Sequence, residues 1–244
     1  MEVDLMAGTS VVCTGGHDQV LAVADAVRAL LTAGGGVVLV APGDLAGAAS
    51  LAIGTTRSGG RAVPIVAHTL VDPADPAFAH LDGALDPAPL GILEAEGIAA
   101  LVRSGFPVVV AGSEPVVPYG DTYRRVTAVL DDAAVAQRLA GDIGALTLIF
   151  IVDDDGPALV DGPAVGEIDL AEAERRLAGG APLGSELRAA VRFLRAGGDL
   201  AVITTPAYAT AALDGTAEAS QILRIHRHLA RPRSDAPVLT FGWG

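Results

Sequence analysis

Three consecutive carboxylates, Asp153, Asp154 and Asp155, followed by Gly156, stand at the end of an unbroken apolar run, LTLIFIV at 146–152. A run without alternation predicts a strand buried on both faces, as in a parallel sheet covered by helices. Carboxylates at the carboxyl end of such a strand occupy the edge where open α/β sheets build their ligand sites. A solvated turn accounts for the same composition, so both readings stand at this point. Asp131 precedes a helical pattern and can serve as its cap or position a ligand. Gly15 and Gly16 form a tight turn after the apolar run SVVCT, with His17 next. His17 has no evident partner, and an ordinary turn residue is its simplest reading. His226 and His228 lie two apart on a presumed helix and do not share a face, which disfavours a metal pair. Cys13 falls in a core strand and is expected to be inert. Phe241 and Trp243 near the end of the chain read as packing or contact residues.

The elements that must position these residues alternate along the chain. Ser10–Thr14 reads as a first strand and Gln19–Ala33 as a helix with Val20, Val23, Val27, Leu30 and Leu31 inward, ended by the glycines at 34–36. Val37–Ala41 is a second strand, followed by a short helix around Leu45–Ile53 and a loop, TTRSGGR, carrying Arg57 and Arg61. Ala62–Val71 is a third strand, 71–89 an ordered surface loop rich in Pro and Asp, Leu90–Ser104 a helix and Pro107–Gly112 a fourth strand. Val135, Leu139 and Ile143 recur at helical spacing and Gly144 stops that helix ahead of the apolar strand. Asp169 with Glu172 forms a capping box for a helix through Leu177, and Ser185 caps Glu186–Ala196. Leu200–Thr205 is a further strand. Helices at Pro206–Leu213 and Glu218–Leu229 and a strand at Val238–Phe241 close the pattern. Strand-helix alternation predicts a mostly parallel sheet between helices.

Composition limits what this fold can do. The chain has 244 residues, 51% of them hydrophobic and only 4% aromatic, so its core is built from Ala, Val, Leu and Ile. A formal charge of −13 argues against nucleic acid or an anionic membrane as partner. No apolar run approaches 18 residues and no basic segment precedes a long apolar one near the start, which predicts a cytoplasmic protein. A single cysteine permits no internal disulfide. All 16 basic residues other than histidine are arginine; there is no lysine.

The order LVDPADPAF, ILEAEGIAALVRSGFPVVVAG, AVLDDAAVAQRLAGDIGA, IFIVDDDG and DLAEAERRLAGGAPLGSELRAAVRFLRAGG, over roughly Val63 to Gly215, resembles carbamate kinases of the amino acid kinase superfamily. The resemblance implies a three-layer α/β/α sandwich over 1–244, with an acceptor-side lobe at about 1–125 and a nucleotide-side lobe at about 126–244. It also implies a homodimer and phosphoryl transfer between ATP, with Mg²⁺, and carbamate or a similar small carboxylate. On the same resemblance, Gly15 and Gly16 offer backbone N–H groups to an anion, and Gly43 and Gly112 let a phosphate approach. Asp153, Asp155 and Gly156 contact the nucleotide, the two aspartates as Mg²⁺ ligands, and Thr204 and Thr205 line the adenine pocket.

The chain departs from that pattern where positive charge is needed. His17 replaces an amide side chain. The loop after the second strand, APGDLAG, keeps Gly43 and Gly47 but loses polar donors. Ser113 and Glu114 follow Gly112 where the family has glycines, a carboxylate there repelling phosphate. Asp131 is kept, but Asp132 and Ala133 replace the Lys and Asp that follow it. Glu186 falls on the lysine that reaches the transferred phosphate, reversing its charge; an acidic residue in a first helical turn also suits the helix dipole. Arg188, on the same turn, can clamp phosphate bidentately in its place. The family's protruding lid is missing. Three functions follow: a diverged protein that keeps a nucleotide or anion pocket with transfer weak or lost, an active kinase using arginine on another acceptor, or a non-catalytic scaffold partnering an active paralogue.

Overall fold

The computed structural model describes residues 8–14, 19, 23–24, 27–28, 30–32, 34–41, 62–74, 89–127, 130–152, 166–180, 184–209 and 222–227. Among these, ten strands form one sheet. They are β1 (Thr9–Thr14), β2 (Gly36–Ala41), β3 (Val63–Val71), β4 (Pro89–Ile92), β5 (Val108–Tyr119), β6 (Thr122–Arg125), β7 (Thr147–Ile151), β8 (Gly166–Asp169), β9 (Leu200–Thr204) and β10 (Ile222–His226). Their order is β4-β3-β5-β2-β1-β7-β9-β10-β8, with β6 paired to β5. The run from β3 to β9 is parallel throughout, and β4, β6 and β10 each add an antiparallel pairing. The expected mostly parallel sheet between helices is present.

The central strands lack hydrophobic alternation because both their faces are covered. Val11, Cys13, Val38, Val40, Val108, Val110, Leu148, Phe150, Ala201 and Ile203 point to one core. Four helices close that face: α1 (Ala95–Arg103), α2 (Asp132–Asp142), α3 (Leu170–Ala178) and α4 (Gly184–Arg195). The alternate residues Val12, Val37, Leu39, Val109, Ile149, Ile151 and Val202 meet Val23, Val27 and Leu30, which are helical between β1 and β2. Fully burying one such side chain contributes about 1.5–3 kcal/mol, so the two faces dominate the stability.

Local chemistry sets the helix that faces the site. The carboxylate of Asp131 accepts from the backbone N–H of Ala133 at 2.8 Å and caps α2. The helix then buries Ala133, Val135, Ala136, Leu139 and Ala140, and Gly144 at φ +67° terminates it. Asp169 caps α3 in the same way through Glu172 N–H at 2.8 Å.

Five expectations are corrected. Leu90 belongs to β4, and the helix begins at Ala95, because residues 89–92 pair with β3 and the Ile92 N–H donates to Asp142 Oδ2 at 2.9 Å. The strand at PVVVAG does not turn after Gly112 but runs on to Tyr119; Gly112, at φ +65°, accommodates a bulge where the β3–β5 register shifts. Ser185 lies inside α4, which starts at Gly184. Within the segment expected as a helix from Glu218 to Leu229, Ile222–His226 forms β10, so His226 is a strand residue, because pairing with β9 and β8 overrides local propensity. Of the helix expected from Pro206 to Leu213, Pro206–Tyr208 is a 3₁₀ turn with Ala209 helical after it, and 210–213 lie outside the described residues. The strands β6 and β8 were not expected. The short helix around Leu45–Ile53, the loop at 75–88, His228 and the strand at Val238–Phe241 lie outside the described residues. Among the described residues no helix is long and apolar enough to cross a membrane.

Candidate functional site

Register makes the carboxyl ends of four strands neighbours. Thr14 pairs with Ile151, Ile151 with Thr204, and Cys13 with Val40. The pairing of β7 with β9 continues one step, Val152 N–H donating to Thr204 O at 2.9 Å. Gly15, Gly16, His17, Gly43, Asp153, Asp155 and Gly156 lie outside the described residues, but the strands β1, β2 and β7 that lead to them end side by side.

Asp131, Asp132 and Glu186 all lie within electrostatic reach of Cys13, near the carboxyl end of β1, although α2 and α4 are far apart in sequence. All three raise the pKa of the buried Cys13 thiol; desolvation is the largest cause, followed by Asp132, Asp131 and Glu186. The thiol donates to the backbone carbonyl of Asp132, with sulfur and oxygen 3.7 Å apart. The first turn of α2 therefore packs on the carboxyl end of β1, and Glu186 in the first turn of α4 lies within electrostatic reach of it. Their N–H groups suit an anion, whereas the side chains they carry there are acidic. Arg188, on the same turn as Glu186, is exposed and makes no ion pair among the described residues. Cys13 is buried, as expected for an inert core thiol.

Hydroxyls line the adjoining strand ends. Thr14 Oγ1 donates to Val40 O at 3.4 Å. Thr204 is fully buried, and Thr205, 4% exposed, has its Oγ1 buried without a hydrogen-bond partner. An orphaned hydroxyl at a strand end is a feature that a bound polar group would satisfy.

A second polar cluster lies past the Gly112 bulge and was missed in the sequence. The Glu94 carboxylate accepts from His68 N–H at 2.8 Å and meets His68 Nδ1 at 2.5 Å. His68 Nε2 is 3.5 Å from Glu114, which also pairs with Arg125, and Thr69 and Ser113 bond through their hydroxyls. Glu114 is thus held by His68 and Arg125, which offset its charge. No sequence signal announces this cluster, because strand register alone brings His68 and Glu114 together. Glu94 precedes α1 without capping it, its carboxylate being spent on His68. Among the described residues no group of three or more His, Cys, Asp or Glu is arranged to hold a metal ion.

The geometry has counterparts among known proteins. No protein-family model matches the chain. The carbamate kinase of Halobacterium salinarum is 39% identical over 141 residues, 54% of this chain and 46% of the relative. The carbamate kinase-like protein YahI of Escherichia coli is 36% identical over 141 residues, 53% of this chain and 44% of the relative. The chain thus spans about half the length of the curated relatives it matches. A solved carbamate kinase from Giardia lamblia bound to AMP-PNP superposes with a TM-score of 0.74 at 23% identity, covering 91% of this chain and 100% of that one; this likeness speaks to the fold. The chain is thus similar in sequence to carbamate kinases over about half its length, and similar to one in fold.

Proposed function

We propose that this chain is a diverged carbamate kinase-like protein that keeps a nucleotide or anion pocket at the carboxyl ends of β1, β2, β7 and β9. Its ATP-dependent transfer to carbamate or a similar carboxylate is weak or lost. The observation that carries the reading is that Asp131, Asp132 and Glu186 all act electrostatically on Cys13, at the end of β1, in a chain without lysine. Phosphoryl transfer depends on positive charge and N–H donors placed against the equatorial oxygens. A like charge about 4 Å from a phosphate oxygen costs ~4 kcal/mol at an effective dielectric of ~20. Arg188 is the cation on the same turn that could offset this in part.

Three features support retention of a pocket. The α2 and α4 first turns supply N–H donors, Thr205 has an unsatisfied hydroxyl, and the Giardia relative is bound to AMP-PNP. In this proposal Gly15, Gly16, Gly43 and Gly112 admit phosphate, His17 and Asp131 border it, and Thr204 and Thr205 adjoin adenine. Asp153 and Asp155, outside the described residues, would hold Mg²⁺; among the described residues no group of three or more His, Cys, Asp or Glu is arranged for a metal ion. The proposal includes a homodimer, supported by apolar exposure at the sheet edge. Val66 and Leu90 are each 48% exposed, and a cavity of about 540 Å³ is lined by Ile65, Ile98, Leu101 and Phe106. Calorimetric titration with ATP and Mg²⁺, together with ADP release in the presence of carbamate, tests the reading. Binding without carbamate-dependent release is expected; robust turnover overturns the loss of transfer, and absent binding overturns the pocket.

A further inference from the structure

An open cavity of about 540 Å³ lies between α1 and β3. Its apolar wall is Ile65 near the start of β3, Phe106 just ahead of β5, and Ile98 and Leu101 of α1. Ile65 and Phe106 stand towards the amino ends of their strands, whereas the candidate site lies at the carboxyl ends of the parallel strands. Glu94 and Ser104 line it as well, ten positions and so about 15 Å of helix axis apart. Among the described residues Glu94 is the one charged group in the lining. A mostly apolar cavity with a polar group placed in its wall has the make-up of a small-molecule site.

Gly97 also lines the cavity, from inside α1. It is helical, so no unusual backbone angle requires a glycine, and a Cβ added there would meet nothing within 4 Å. Glycine weakens a helix relative to alanine. Neither backbone nor packing accounts for it; the effect of its missing side chain is to leave the cavity unfilled. Glu94 holds the N-cap position of α1 without capping it. One of its oxygens accepts from His68 N–H at 2.8 Å and the other meets His68 Nδ1 at 2.5 Å. Each carboxylate oxygen has a second lone pair, and the side chain is 30% exposed, so a further donor can reach it. An anionic ligand would face this carboxylate with no cation in the lining to offset it. The formal charge of −13 likewise favours a cation.

We propose that this cavity binds a small amphipathic amine, whose ammonium donates to the Glu94 carboxylate while its apolar chain lies along Ile65, Ile98, Leu101 and Phe106. The site does not rest on the nucleotide reading. Nor does it use Val66 or Leu90, the exposed residues of the dimer proposal, neither of which lines the cavity. Through Glu94 the ligand touches His68, whose Nε2 is 3.5 Å from Glu114, so the His68 ring reports on occupancy.

The full chain is titrated with hexylamine, hexanol and hexanoate in turn, at neutral pH and matched ionic strength. Heat and the ring NMR signals of His68 are followed, the latter assigned with His68→Gln. Hexylamine should saturate and bind roughly tenfold or more tighter than hexanol, the scale of one charge-assisted hydrogen bond, and hexanoate should not bind. Glu94→Gln keeps an acceptor for the His68 N–H and should bring hexylamine down to the level of hexanol. Gly97→Leu fills the cavity with a better helix former and should abolish binding of both. The proposal is overturned if hexylamine does not saturate, if hexanol or hexanoate binds as tightly, or if either variant binds hexylamine like wild type. Should Glu94→Gln not fold, undiminished binding by Gly97→Leu overturns it instead. If Gly97→Leu turns a wild-type dimer into a monomer while hexylamine fails to bind, the cavity belongs to a second copy of the chain and the proposal is overturned.

Discussion

Cys13 and Asp132, 119 positions apart, are joined by a contact of 3.7 Å from the thiol sulfur to the backbone carbonyl oxygen. The contact fastens the carboxyl end of β1 to the first turn of α2 and brings Asp131, Asp132 and Glu186 within electrostatic reach of one buried sulfur. The same closeness that raises the thiol pKa makes this edge unfavourable to polyphosphate unless a cation intervenes.

Cys13 should therefore resist alkylation in the native protein at pH 8 and react once the chain is unfolded. Its folded pKa is raised by burial first and by the three carboxylates next, so the folded state keeps the proton that the unfolded state loses above about pH 8.5. The unfolded state then binds fewer protons, and stability is full below that pH and falls as pH rises. Denaturation measured from pH 7 to pH 10 should show this alkaline decline in wild type and a smaller one in Cys13→Ala.

Asp131 should prove a helix cap whatever else it does. Asp131→Ala removes the acceptor of the Ala133 N–H and should cost about 1 kcal/mol, whereas Asp131→Asn preserves an acceptor and should cost less than about 0.5 kcal/mol. Urea titration of the two variants measures the difference. Equal stability of Asp131→Ala and wild type would mean that relief of repulsion from Asp132 and Glu186 outweighs the cap.

Gly112→Ala tests the bulge. A side chain at φ +65° in β5 should cost roughly 1–2 kcal/mol. The effect should appear as a lower midpoint in thermal unfolding, with the β-sheet signal of the folded state unchanged. An unaltered midpoint would show that the chain can relax there without positive φ.

Light scattering at micromolar concentration should return the mass of a homodimer. Val66→Glu, which places a charge on the exposed apolar edge of β3, should shift the population towards monomer. A monomer mass for the wild type would remove the dimer from the proposal.

What was legible in the sequence had local causes. β1, β2, β7 and β9 announce themselves as short apolar runs without alternation, because helices cover both faces of the central sheet. The caps at Asp131 and Asp169 are readable because a cap involves residues only two or three apart. β10 was not legible: Ile222, Leu223 and Ile225 suit either periodicity, and the pairing partners that decide lie on β8 and β9. β6, TYRR, is exposed at every residue and shows no pattern to read. At the candidate site, Asp131 and Glu186 were singled out through a family resemblance, and both lie within electrostatic reach of Cys13. The pairing of His68 with Glu94 and Glu114 depends on strand register and a bulge, which no spacing reveals.

Glu186 is proposed to stand where a cation would hold phosphate, and Glu186→Lys tests that most directly. The exchange removes a repulsion and supplies a donor, so ATP affinity should rise by about 1–3 kcal/mol. A cation in the first turn of α4 opposes the helix dipole, so ligand-free stability should fall by roughly 0.3–1 kcal/mol. Calorimetric titration of wild type and variant with ATP, read beside their thermal unfolding, measures both signs at once. Tighter ATP binding with lower intrinsic stability is the predicted result; unchanged ATP affinity in a folded Glu186→Lys variant would contradict a vestigial phosphate site at this edge.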